Sequence, residues 1–347
     1  MAQKHRPRAK VCKAKISKKY ILVTGGLGFI GSHMLELLLY EGESVVCIDN
    51  LDNYYDPLKK LNNFKEIKNT SKKSENAFTF ILMDVCDTKA LENIFSCFSV
   101  DVVIHLAAKG GVRASFEDPY NYERINVNGT ITLLEVMRRF NCKKIIYISS
   151  SSVYGKQKSQ FNETDSLLQP MSPYALTKYT AEKFCELYAG LYGLSVDIVR
   201  PFTVYGPRQR PEMAIFKFVN ALDNDRPITI FGNGEMMRDF THVSDVIRGI
   251  FLALRSTPHY GSAIAYNIGS SKPSSLNDTV MTIERILQKK AVVLYKPIPE
   301  GEVAFTWANI ERATSRLGYK PKVSLEQGLR DFIGWYNKNL KPAYMNR

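Results

Sequence analysis

The chain has 347 residues, 45% hydrophobic and 23% charged, enough for one large or two modest domains with an ordinary globular core. No apolar run approaches membrane-span length, and no N-terminal stretch reads as a signal peptide. The six cysteines lack CxxC or paired spacing and the five histidines lack ligand spacing, so a reduced, cytosolic protein without a structural metal is expected.

The formal charge of +13 is concentrated at one end. Residues 1–19, "MAQKHRPRAKVCKAKISKK", hold eight Lys or Arg and no acid, and removing those eight charges leaves +5. A basic tail without apolar periodicity reads as disordered and solvated, not as a nucleic-acid site, which would benefit from interleaved aromatics.

From Tyr20 the chain alternates short apolar runs with helical stretches. The runs are "YILVTG" (20–25), "SVVCID" (44–49), "FTFILMD" (78–84), "DVVIHLAA" (101–108), "KIIYISS" (144–150) and "SVDIVRP" (195–201). Such runs suit strands buried on both faces, with crossover helices between them. The fold class expected is α/β, a Rossmann-type doubly wound parallel sheet with a smaller interleaved C-terminal substrate domain. Residues 20–203 form the dinucleotide half. Residues 204–347 are mainly the substrate part, with some segments returning to the sheet. "NTSKKSEN" (69–76) reads as an exposed loop, and Leu276, Val280, Ile283 and Leu287 as a helical core stripe.

"ILVTGGLGFIG" puts Gly25, Gly28 and Gly31 between the first strand and a helix, where a tight turn cradles a pyrophosphate on helix N–H groups. Asp49 ends the second strand, about 20 residues on, where a carboxylate bonds the adenosine ribose and repels a 2′-phosphate; NAD is therefore expected over NADP. Asp84 ends the third strand and is either an adenine contact or a helix N-cap.

"SPYALTKYTAE" sets Tyr174 and Lys178 four apart on one helical face. A tyrosine with a pKa near ~10 is a poor base at neutral pH, and a nearby cation favours its phenolate. "YISSSSVYG" displays hydroxyls at the strand ends where doubly wound folds bind ligands. Arg208 and Arg210 in "TVYGPRQRPEMAIF" mark a rigid turn suited to an anion.

Together these residues resemble the extended short-chain dehydrogenase/reductase family, the NAD-dependent epimerases and dehydratases, and within it most resemble UDP-glucuronate 4-epimerases. The resemblance runs from about Tyr20 to Tyr336 and also rests on "HLAAKGGVRAS", "NVNGTITLLE", "RDFTHVSDV" and "GEVAFTWANIERATSRLGYKP". It implies Tyr174 as base, Lys178 as its partner and ribose anchor, and Ser150 as the hydrogen bonder to the sugar 4-hydroxyl. It implies a cofactor site that adds Phe29, Ile30, Asn50, Val85, Leu106, Ala108 and Lys109 to the glycines, Asp49, Asp84, Tyr174 and Lys178. Ser151, Thr203, Arg210, Arg238 and Glu302 would meet the UDP-sugar. Thr203 and Arg210 would take its carboxylate, Arg238 the diphosphate and Glu302 the uridine ribose. A homodimer is expected.

Lys109 departs from the family's usual "AAQAGVR" and adds a cation near the nicotinamide. Ser151 and Ser152 replace the Asp-Glu pair of 4,6-dehydratases, and Ser152 stands where decarboxylases carry Glu. The alternatives are a UDP-glucose 4-epimerase, then a sugar-nucleotide 4,6-dehydratase, which the two serines disfavour, or a non-catalytic NAD-binding scaffold.

Overall fold

The apolar runs form six strands in the computed structural model, which describes residues 18–71, 77–157, 159–165 and 168–340. They are β1 (Lys19–Thr24), β2 (Val45–Asp49), β3 (Phe78–Leu82), β4 (Ser99–His105), β5 (Lys144–Ile148) and β6 (Ser195–Pro201). A later strand, Ser262–Ile268, adds parallel to β6. The order across this seven-stranded sheet is Ser262–Ile268, β6, β5, β4, β1, β2, β3, and every pairing is parallel. The winding thus reverses between β1 and β4, and ligands in such sheets bind outside the strand ends at that reversal.

Alternation along the strands splits the core between two faces. Ile21 and Val23 of β1 face Met34, Leu35 and Leu38 of helix α1 (Phe29–Tyr40). Leu22 faces the opposite layer, with Leu91, Leu133, Leu134 and Ala189. β3 departs from the doubly buried pattern: it is the sheet's edge, and its last residue, Leu82, is exposed.

Beyond residue 204 the chain serves two places. Helix Val243–Arg255 sends Val243, Val246 and Ile250 into the same core layer as α1. Helices Ala214–Asp223, Leu276–Leu287 and Leu325–Asn339 close a separate cluster around Phe216, Val219, Ile283 and Phe332. Leu276, Val280 and Ile283 are buried there and Leu287 packs at its margin, as the helical stripe requires. The paired strands Ile228–Phe231 and Val293–Lys296 lie against this cluster.

Part of the expected loop 69–76 is helical, since α2 (Pro57–Ser71) runs through Ser71; residues 72–76 lie outside the described residues. So does the basic tail up to residue 17. Among the described residues no helix is long and apolar enough to cross a membrane.

Candidate active site

Three glycines shape the end of β1 by close approach. Gly25 has φ +66°, and a Cβ there would stand 2.7 Å from the Ala107 Cα. A Cβ on Gly31 would stand 2.3 Å from the Gly25 carbonyl oxygen, so backbone packs directly on backbone. Gly28 precedes α1, whose start carries no side-chain cap. The first-turn N–H groups are therefore left to a ligand, and the helix dipole favours an anion.

Asp49 is buried and ties this turn to the next strand. It accepts from the Leu27 N–H at 3.1 Å and the Leu51 N–H at 2.9 Å, and pairs with Lys60 at 3.0 Å. Asp84 accepts from the Cys86 N–H and pairs with Arg124 at 3.0 Å. The following helix is capped by Asp87, not by Asp84. A cavity of about 300 Å³ runs from the glycine turn past Phe29, Ile30, Asp49, Asn50, Asp84 and Val85. It continues along Leu106, Ala108 and Lys109 to Ser150, Tyr174 and Lys178. All the residues expected at the cofactor site thus line one cavity.

The reacting end is built by two local structures. Ser150 follows β5 in extended conformation and caps a short 3-10 turn, Ser151–Tyr154, accepting from the Ser152 N–H at 3.2 Å. Helix Pro173–Tyr192 starts at Ser172, whose hydroxyl accepts from the Ala175 N–H, with proline in the first turn. That start puts Tyr174 beside Ser150, close enough for the serine hydroxyl to favour its phenolate. Burial raises the Tyr174 pKa above 10, while Ser150 and the charge of Arg210 favour the phenolate. Lys178 turns elsewhere: its ammonium donates to the Ile148 carbonyl at 2.6 Å and lies 4.7 Å over the Tyr147 ring. Burial lowers its pKa to about 8, against the charge of Glu182.

A second cavity, of about 250 Å³, meets the first at Ser150, Tyr174, Pro201, Phe202 and Arg210, which line both. Ser151, Thr203, Arg238 and Glu302 line it further out. Glu302 sits between two guanidiniums, accepting from Arg238 at 3.0 Å and from Arg113 at 2.8 Å. Arg113 also stacks on Phe231 at 4.2 Å.

The two arginines of the proline-bounded turn separate. Arg210 faces the shared wall, its guanidinium 5.6 Å from the Tyr54 ring centroid. Arg208 points away and forks onto Glu36 of α1 at 2.8 and 3.0 Å, so it is no ligand for an anion in either cavity. Lys109 pairs with Asp118 at 3.2 Å, which balances the cation that departs from the family pattern.

Residues missed from sequence are Arg113, Asn126 and Tyr122. Asn126 lies in a π-helical turn (Arg124–Asn128), a distortion frequent at functional sites. It accepts from the Lys109 N–H at 2.8 Å and donates to Thr177 at 3.0 Å, fixing the cavity wall to the Tyr174 helix. Tyr122 donates to the Gly110 carbonyl at 2.8 Å, and its ring meets that of Tyr174 edge-on. The signal lay in "NVNGT" and "GGVRAS", but spacing alone does not assign those contacts. Among the described residues no cluster of three or more His, Cys, Asp or Glu is placed to hold a metal.

Residues 21–269 match the model of the NAD dependent epimerase/dehydratase family. The chain belongs to that family. It is 42% identical to the UDP-glucuronate 4-epimerase of Thermodesulfobacterium geofontis, over 93% of this chain and 97% of that one. Among solved structures it resembles the UDP-glucuronic acid 4-epimerase of Bacillus cereus in complex with UDP-glucuronic acid and NAD. The TM-score is 0.85 at 37% identity, over 92% of this chain and 99% of that one. It also resembles the UDP-glucose 4-epimerase of Thermotoga maritima with UDP-glucose, with TM-score 0.83 and 32% identity over 92% and 99% of the chains. The family is NAD-dependent, and the glycine cradle and the acidic end of β2 fit that cofactor.

The cradle yields a prediction. Gly31→Ala forces a Cβ against backbone, an overpacking cost of about 1–3 kcal/mol, roughly 5- to 150-fold in NAD affinity if the cost falls on the cradle. Gly190→Ala, where a Cβ meets nothing within 4 Å, should keep NAD fully. NAD assayed in the denatured supernatants of the two purified variants distinguishes them; equal contents would contradict the cradle.

Proposed function

We propose that this protein is an NAD-dependent 4-epimerase interconverting UDP-glucuronate and UDP-galacturonate. The observation that carries the substrate choice is Arg210, which reaches the wall shared by the two cavities beside Tyr174 and Ser150. The relatives that act on UDP-glucuronate support the same reading.

The first cavity would hold the dinucleotide, with its pyrophosphate over Gly25, Gly28 and Gly31 and its adenosine ribose at Asp49. The second would hold the UDP-sugar, with Arg238 at the diphosphate and Glu302 at the uridine ribose. NAD, when bound, supplies a reversible hydride acceptor at C4 and a positive ring that adds to the field favouring a phenolate. Tyr174 takes the C4 hydroxyl proton, and Ser150 holds the same oxygen in line. Lys178, cationic at neutral pH with its pKa at about 8, would anchor the nicotinamide ribose. After the 4-keto sugar turns over in the pocket, Tyr174 returns the proton.

Oxidation at C4 makes a β-keto acid, which loses carbon dioxide fastest when the bond from C5 to the carboxylate lies parallel to the ketone π system. An epimerase must hold that carboxylate charged and out of line. A guanidinium grips both oxygens in one plane, which an ammonium cannot do. Arg210, helped by Thr203, takes that role.

Tyr174→Phe is expected to cut epimerisation by roughly 10²–10⁴-fold while UDP-glucuronate still binds, because the phenyl ring keeps the shape. Calorimetry showing binding lost in proportion to rate would make Tyr174 a packing residue instead. Arg210→Ala should weaken UDP-glucuronate by about 1.5–3 kcal/mol, affect UDP-glucose far less, and let residual turnover leak a decarboxylated pentose. Equal losses for both nucleotides would favour UDP-glucose as the natural substrate.

A homodimer belongs to the same proposal. Leu176, Leu187 and Leu191 share one exposed face of helix Pro173–Tyr192, a surface suited to self-association. Light scattering should give twice the chain mass, and a monomer at micromolar concentration would remove this part.

A further inference from the structure

Arg208 does not reach the ligand cavities, yet it is held more firmly than Arg210. Its backbone adopts φ +64°, a left-handed conformation unusual for a residue other than glycine, and its side chain is only 11% exposed. The guanidinium forks onto the Glu36 carboxylate of α1 and also contacts Glu66 of α2. One residue earlier, the Pro207 carbonyl accepts from His33 of α1 at 2.9 Å. His33 must donate there through Nε2, and burial together with the Arg208 charge lowers its pKa to about 4. One residue later, Gln209 is buried and its side-chain oxygen accepts from the Gly206 N–H.

The turn is therefore clamped to the first two helices of the cofactor half by residues that line neither cavity. Arg210 has a looser setting. Its guanidinium stacks over Tyr54 and lies beside Gly110, where an added Cβ would come within 2.4 Å of Nη1. Its Nε pairs with the Glu212 carboxylate at 2.7 Å, one partner where Arg208 has two. The direction in which Arg210 points thus depends on the backbone that Arg208 holds as well as on Glu212 and the Tyr54 ring.

We propose that Arg208 is a positioning residue for Arg210. Its ion pairs with Glu36 and Glu66 fix the turn so that Arg210 meets the substrate's carboxylate, which makes Arg208 a determinant of substrate selectivity. This rests on the reading of Arg210 as the carboxylate ligand. The physical logic is one of strain and fit. A left-handed arginine persists only where its surroundings over-determine it, and two carboxylates facing one buried guanidinium do so. Once the clamp is gone, both carboxylates lose their partner and the turn relaxes toward ordinary backbone. Arg210 then keeps its charge but loses its aim.

The test compares Arg208→Asn, Arg210→Ala and the double variant in the NAD-bound protein. Asparagine tolerates the left-handed backbone, so the substitution removes the fork without forcing the turn. Dissociation constants for UDP-glucuronate and UDP-glucose are measured, with kcat, KM and pentose formation for UDP-glucuronate. Arg208→Asn should raise the UDP-glucuronate KM roughly tenfold, leave the UDP-glucose dissociation constant unchanged, and leak pentose. It should add nothing to the selectivity loss of Arg210→Ala, because it acts through that residue. If Arg208→Asn fails to fold, Glu36→Gln with Glu66→Gln removes the partners instead and should give the same selectivity loss in smaller measure.

Unchanged selectivity in a folded clamp variant, equal weakening of both nucleotides by that variant, or additive losses in the double variant would each overturn the proposal. If Arg210→Ala is selective while the clamp variants are silent, only the role of Arg208 falls. If Arg210→Ala weakens both nucleotides equally, the carboxylate reading falls and takes the proposal with it.

Discussion

The buried ion pair between Arg200 and Glu182 holds the reacting end together. Arg200 lies on β6, just before Pro201 and Phe202 at the cavity wall. Glu182 lies one turn beyond Lys178 on the Tyr174 helix and accepts from Arg200 at 2.6 and 3.0 Å, with both side chains almost fully buried. The remaining guanidinium edge donates to the Tyr154 hydroxyl at 2.9 Å, which in turn donates to Asn267 at 2.7 Å. One charge pair thus locks the base helix, the serine turn and two sheet strands in fixed relation. Such pairs add little net stability, since desolvation offsets the attraction, but a broken one leaves a buried charge unpaired. Alternative packings are thereby penalised. Tyr174 and Ser150 come from different elements and must meet within hydrogen-bond reach, so that penalty is what the chemistry requires.

The same charges tune the site. Burial alone drives Tyr174 toward the neutral phenol and Lys178 toward the neutral amine. Glu182 opposes the second shift, while Ser150 and Arg210 oppose the first. In the proposed mechanism Arg210 would have two electrostatic roles. It favours the base in its anionic form, and it faces the place assigned to the sugar carboxylate. An anionic substrate would neutralise that guanidinium and weaken its pull on the phenol, and the positive ring of a bound NAD would then supply part of the field.

What the sequence made legible was local. The glycine turn, the acid at the end of β2, the serine turn and the Tyr174–Lys178 spacing all depend on neighbours within a few residues, and each lines a cavity. What stayed hidden depended on distant partners. Arg208 read as an anion ligand because Glu36 is 172 residues away and Glu66 is 142 away. Arg113 passed unnoticed because Glu302 lies 189 residues on. Lys109 read as an uncompensated cation although Asp118 is only nine residues off, since a bend between them sets the contact and spacing does not reveal it. Lys178 was expected to act on the Tyr174 phenol, and its bond to the Ile148 carbonyl follows from β5 running beneath the helix.

Epimerisation by this route requires that the C4 hydrogen leave the sugar and return to the same carbon on its other face within one closed pocket. Incubating the protein with UDP-glucuronate deuterated at C4, in ordinary water, and following the products by NMR tests that requirement directly. The expected product is UDP-galacturonate that keeps the deuterium at C4, with no solvent hydrogen introduced at C4 or C5 and no pentose. Loss of the label to solvent, exchange at C5 or release of a decarboxylated sugar as the main product would contradict the mechanism.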